Sequence, residues 1–146
     1  ARFQAFTSHA DQVSELPPGL TPLASNAWCA VQALAVEGSA PFWAVQYHPE
    51  YDLCEIARLG LLRAEELVGE GRFPSLEALR SWAEAMQALQ ADPSQEALRE
   101  ELGLEAALLD PAQREIEVRN WIEIVVRPRA AGIRLGIGRG WGPQRS

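Results

Sequence analysis

His48 and Glu50 close the apolar run Phe42-Trp43-Ala44-Val45-Gln46-Tyr47-His48-Pro49-Glu50, and an imidazole two residues from a carboxylate is the makings of a general base with its orienter. In an extended chain such residues share a side and lie about 6 to 7 Å apart at Cα, so Glu50 can lean back onto the His48 ring. A carboxylate on one ring nitrogen sets the tautomer and leaves the other nitrogen to take a proton from a nucleophile. Pro49 fixes its own φ near −65° and narrows the ways the two side chains are presented. Taken alone, a histidine at a strand end is more often an ordinary hydrogen-bonded residue than a catalyst. The chain holds two thiols, Cys29 and Cys54. A reactive cysteine needs an electropositive, partly exposed site. Cys54 falls in a first helical turn but has Glu50, Asp52 and Glu55 around it in sequence, and Cys29 sits between Trp28 and Ala30 with no glycine beside it. Both are expected to be structural. A metal site from His9, Asp11, His48 and Glu50 has suitable ligand types, yet its spacing fits no standard zinc pattern.

The elements that must position these residues change period at Asp52. Before it lie short strands joined by turns: a first strand with Phe3 and Phe6, a polar loop from Thr7 to Gln12, a turn at Leu16-Pro17-Pro18-Gly19, and strands over 21–25 and 31–36. Glu37-Gly38-Ser39-Ala40-Pro41 then makes the reversal into the apolar run. From Asp52 onward Leu53, Ile56, Ala57, Ala64, Leu67 and Val68 fall on one helical face, with Asp52 and Glu55 as a capping box and Gly69 and Gly71 as the stop. A second helix starts at Ser75 and carries Leu76, Leu79, Ala83, Met86 and Leu89 inward. A third runs from Ser94 to Gly103. A fourth opens at Asp110-Pro111 and continues to Pro128, with Ile122 to Val126 open to either helix or strand.

The chain has 146 residues, enough for one domain that buries roughly 70% of its unfolded-chain surface. Hydrophobic residues make up 47% and charged residues 23%, which rules against wholesale disorder. No apolar run reaches the ~20 residues of a membrane helix and no signal-peptide core opens the chain, so a cytoplasmic protein without a membrane partner is the simplest reading. Two cysteines without a C-x-x-C pair argue against a disulfide framework or zinc knuckle. The net charge is −7, and because residues 127–146 carry five arginines and no acid, residues 1–126 carry −12. An acidic body does not attract phosphate backbones, so no nucleic-acid partner is expected. The tail 129–146, rich in Arg and Gly, is expected to be disordered.

Ser8-His9-Ala10-Asp11, Leu16-Pro17, Ala24-Ser25-Asn26 and Ala44-Val45-Gln46-Tyr47-His48-Pro49-Glu50 together resemble the second half of a class I glutamine amidotransferase domain of the GMP-synthase type. A His-Pro-Glu triplet alone would carry little. The same triplet closing a meander, with an S-H-x-D loop some forty residues earlier, is specific. The helical half, through Asn120-Trp121, resembles the C-terminal extension of a bacterial subgroup of GMP-synthase-like amidotransferases.

The resemblance implies an α/β fold, the C-terminal part of a flavodoxin-like amidotransferase: a small β-meander followed by a helical extension. Residues 1–53 would be the amidotransferase half, 54–128 the extension and 129–146 the tail. It also implies hydrolysis of L-glutamine to glutamate and ammonia by a Cys-His-Glu triad, with His48 as base and Glu50 as orienter. His9, Ala10 and Asp11 would match the loop that holds the substrate, although Ala10 stands where family members usually have glycine. No cofactor is implied, and no ATP-binding glycine loop occurs. The family's nucleophile sits on a G-x-C-x-G elbow, and no such string occurs here. The expectation is therefore a fragment or split-gene product, inactive alone, whose partner is a missing N-terminal half or a synthetase domain or subunit. With half a sheet missing, an edge and an apolar face would be left to associate, and another copy of the chain is one further candidate. The alternative is a catalytically incomplete module acting as a binding or regulatory partner.

Overall fold

The computed structural model describes residues 2–36 and 42–130. The expected reversal at 37–41 and residues 131–146 of the expected tail lie outside the described residues, whereas residues 129 and 130, read as the start of that tail, are helical. The architecture is mixed α/β, a small antiparallel meander followed by helices, in the expected order. The chain divides into two compact units, Ala1–Ser8 with Tyr47–Ile116, and His9–Gln46 with Glu117–Ser146.

In the first unit β1 (Phe6–Thr7) pairs antiparallel with β5 (Tyr47–His48), with Phe6 opposite His48 and Thr7 opposite Tyr47. Helices follow: α1 (Leu53–Leu62), α2 (Ala64–Gly69), α3 (Leu76–Ala91), α4 (Glu96–Glu101), α5 (Ala106–Leu109) and α6 (Pro111–Arg114). The cap residues read from the sequence do their work. Asp52 accepts from the Glu55 N–H at 2.8 Å, Ser75 from Ala78 at 3.1 Å and Asp110 from Ala112 at 2.9 Å. The capping box at Asp52 is only half made, because both Glu55 oxygens are taken by Arg58 at 2.6 and 3.1 Å. The helix expected from Asp52 to Gly69 is two. At Arg63 the backbone leaves the α region, and its N–H is shared between Leu59 O and Gly60 O, both at 3.2 Å.

The core of this unit lies between α1 and α3. Leu53, Ala57, Ala83, Met86 and Leu89 are buried, and Phe6, Ile56, Trp82, Leu98, Leu102, Leu104 and Leu109 pack around them. Burying a side chain of leucine or methionine size contributes about 1.5–3 kcal/mol, so this seam holds the unit together. The two helices approach closely at Gly60, where a Cβ would come within 2.7 Å of the Trp82 ring.

In the second unit β2 (Leu20–Ala24), β3 (Ala33–Val36) and β4 (Phe42–Val45) form an antiparallel sheet in that order. Pro22, which has no N–H to give a ladder, sits on the edge strand β2 beside a shift in register before Ala24. The apolar run read as one strand is divided. Gln46 turns its side-chain amide to the Val31 carbonyl while its own N–H meets Gln32 O at 2.8 Å, and β5 then pairs with β1 instead of β3. Helix α7 (Ile116–Trp121) runs into a π-helical turn at Ile122–Val126 and ends in α8 (Arg127–Ala130), so the open choice at 122–126 resolves as helix.

Candidate active site

His48 ends β5, and the chain reverses at once: the Tyr51 N–H returns to His48 O at 3.4 Å, which places Pro49 and Glu50 at the centre of a turn. Strand alternation sends Tyr47 into the interior, where its ring meets Phe3 edge-on at 5.5 Å, and sends His48 to the other face. Across the turn the Glu50 Oε1 lies 2.8 Å from His48 Nδ1. A carboxylate only accepts, so Nδ1 carries the proton in the neutral ring and Nε2 presents its lone pair. The His48 side chain is 28% exposed.

Two further contacts hold the ring and the turn. Tyr51 lies flat on His48, with centroids 3.9 Å apart and planes 3° from parallel. Arg114, at the end of α6, donates from Nε to the Pro49 carbonyl at 3.1 Å. Neither was among the residues picked out in the sequence. Tyr51 was one residue beyond the triplet, whereas nothing local marks Arg114.

Burial alone would raise the Glu50 carboxyl. The hydrogen bond from His48, the Glu50 backbone N–H and attraction to the imidazolium outweigh it and hold the group below its ordinary value of 4.5.

The loop residues belong to the second unit and are exposed. His9 donates from Nδ1 to the Asp11 carbonyl at 2.7 Å, and its Nε2 then accepts from the Gln32 side-chain amide at 3.2 Å. Gln32 is 5% exposed, and its Oε1 has no hydrogen-bond partner among the described residues. No described residue other than glycine has positive φ, so the alanine at position 10 takes a backbone conformation open to any L-residue. Glycine is not required there. The structure brings His48 and Glu50 together, and separately gathers His9, Asp11 and Gln32.

Cys29 is buried, with Sγ donating to Val31 O at 3.3 Å and accepting from Gln46 at 3.6 Å. Cys54 is exposed in the first turn of α1 and lines a shallow depression of about 460 Å³ with Glu50, Tyr51, Asp52, Glu55 and Arg58. Three carboxylates face that depression against one guanidinium, and Arg58 is already engaged by Glu55. No group of side chains able to hold a metal ion occurs among the described residues, and no helix among them is long and apolar enough to cross a membrane.

Residues 1–57 match the family described as glutamine amidotransferase class-I. Over 144 residues, 95% of the chain, the sequence is 33% identical to a gamma-glutamyl-L-1-hydroxyisopropylamide hydrolase of a Pseudomonas species, of which the chain covers 47%. It is 47% identical over 47 residues to the glutamine-hydrolyzing GMP synthase of Bordetella avium, and 45% identical over 49 residues to a glutamine-hydrolyzing GMP synthase subunit of Thermococcus kodakarensis. Those two matches take in 32% and 34% of the chain, and 9% and 26% of the relatives. The chain thus spans about half the length of the Pseudomonas relative and less of the other two. No solved structure matches it.

Proposed function

We propose, from the premise that residues 1–57 are part of a class I glutamine amidotransferase domain, that the chain supplies the base and the orienting carboxylate for hydrolysis of the glutamine side-chain amide. The observation that carries this reading is the 2.8 Å bond from His48 Nδ1 to Glu50. The nucleophile is a cysteine on a polypeptide segment other than these residues, because Cys29 is hydrogen-bonded in the interior and Cys54 faces carboxylates. Residues 54–128 act as a helical extension, and the synthetase that uses the ammonia is a separate domain or subunit.

In the reaction His48 Nε2 takes the thiol proton, and the thiolate attacks the γ-carbonyl carbon to give a tetrahedral adduct. As the C–N bond breaks, the imidazolium returns its proton to the nitrogen, and ammonia leaves with a thioester behind. Water, deprotonated by the same nitrogen, adds to the thioester and releases glutamate and the thiol. Glu50 steadies each imidazolium without taking the proton. His9, Ala10 and Asp11 contribute the loop that holds the glutamine.

A second reading of the substrate rests on the extent of the matches. The Pseudomonas hydrolase aligns along 95% of the chain, helices included, whereas the GMP synthases align over about a third. On this reading the amide nitrogen carries an alkyl substituent, and the leaving group is an amine. The catalytic steps are unchanged.

The test is ammonia release from glutamine, and amine release from a γ-glutamyl alkylamide, by the chain alone and combined with a polypeptide that carries the family's G-x-C-x-G elbow. Activity is expected only from the combination, with His48→Ala lowering kcat at least ~10³-fold. Hydrolysis by the chain alone would overturn the assignment of the nucleophile. A combined protein that is folded but inactive would favour a binding or regulatory module.

A further inference from the structure

We propose that Arg114 is a positioning residue for the His48–Glu50 pair and acts by fixing the carbonyl of Pro49 between them. The inference rests on the reading of His48 and Glu50 as base and orienter. Arg114 lies outside the segment that matches the amidotransferase family. Its side chain is 8% exposed, and each of its three nitrogens donates to a protein oxygen: Nε to Pro49 O at 3.1 Å, Nη1 to Leu108 O at 3.1 Å and Nη2 to Glu115 at 3.3 Å. A cation this deeply buried is stable only with its donors satisfied, and the planar guanidinium fork serves several acceptors in one fixed geometry where an ammonium does not.

The target is a backbone group midway between the two catalytic side chains, and its rotation separates them. In Pro49 the ring sets φ, and the direction of the carbonyl sets ψ. A carbonyl held by Arg114 therefore leaves residue 49 no soft torsion, so fewer rotations separate Glu50 from His48. The Tyr51 N–H on His48 O closes the turn from the other side. Without Arg114, ψ of Pro49 is released, and Glu50, whose side chain is 62% exposed, is drawn toward solvent.

The test reads the ring tautomer of His48 in the full chain by ¹⁵N NMR in mildly alkaline solution, with His48→Ala distinguishing it from His9. The wild type should show an excess of the Nδ1–H form over a Glu50→Ala variant, which sets the floor. Arg114→Met should cut the ratio of Nδ1–H to Nε2–H by about fivefold, the scale one ordinary hydrogen bond supports. Arg114→Lys, with one compact donor in place of the fork, should fall between. If the wild type shows no excess over Glu50→Ala, the base-and-orienter reading fails whatever Arg114 does. If the excess is present and survives in a folded Arg114→Met protein, the inference about Arg114 is overturned while that reading stands. Should Arg114→Met not fold, Arg114→Lys decides: an unchanged ratio overturns the inference, and a reduced one supports it.

Discussion

A hydrogen-bonded imidazole and carboxylate separated by one proline do two different jobs, and they separate by pH. Glu50 ionises more readily in the folded chain than in the unfolded one, so the stability contributed by its pairing is complete above the ordinary value of 4.5 and is lost as pH falls through the lower folded value. The carboxylate is mostly exposed, which keeps the contribution small. The urea midpoint of Glu50→Gln should lie slightly below that of the wild type at about pH 6, and the gap should shrink as pH falls below the ordinary carboxyl value. A gap of constant size would mean that the carboxylate acts through packing and not through its charge. His48 and Glu50 were legible because the bond that joins them spans only three consecutive residues. Gln32 was not, because a glutamine in an apolar strand gives no sign of facing a histidine 23 residues earlier.

Helix boundaries follow the same division between local and distant causes. Asp52, Ser75 and Asp110 cap their helices through bonds to backbone two or three residues on, so sequence alone reveals them. Ser75→Ala should lower unfolding free energy by about 1 kcal/mol in denaturant titration. Gly71 and Gly103 close α2 and α4 with φ of +71° and +67°, each in a pair of bonds back to the last helical turn, and both were legible as helix ends. Gly60 is a different case. It stands in a helix interior, where glycine costs stability, and the compensation is the Trp82 ring seated against its Cα. Gly60→Ala, favourable to an isolated helix, should destabilise the protein by about 1–3 kcal/mol and shift the Trp82 fluorescence. The break at Arg63 and the π-helical turn at Ile122–Val126 were hidden, since the residues there are ordinary helix or strand formers and packing decides between them.

At the scale of the molecule, the segment that carries the family match holds only part of the first unit's core. Leu53 and Ala57 lie inside residues 1–57, while Ala83, Met86 and Leu89, which complete the same core, lie beyond it. A chain cut after residue 57 should show no cooperative thermal transition by circular dichroism, and full-length Met86→Ala should lose about 2–5 kcal/mol. The order of meander and helices was legible from the change of period at Asp52. The reach of Arg114 back to Pro49, across 65 residues, was not, because an arginine late in a helical segment looks like any solvated cation until the fold is known. The pairing of Phe6 with His48 has a practical outcome as well. A dye or spin label grafted just ahead of Phe6 begins beside the imidazole and can stray no farther than about 3.5 Å per intervening residue, which makes the front of this chain a built-in vantage point on whatever approaches that ring.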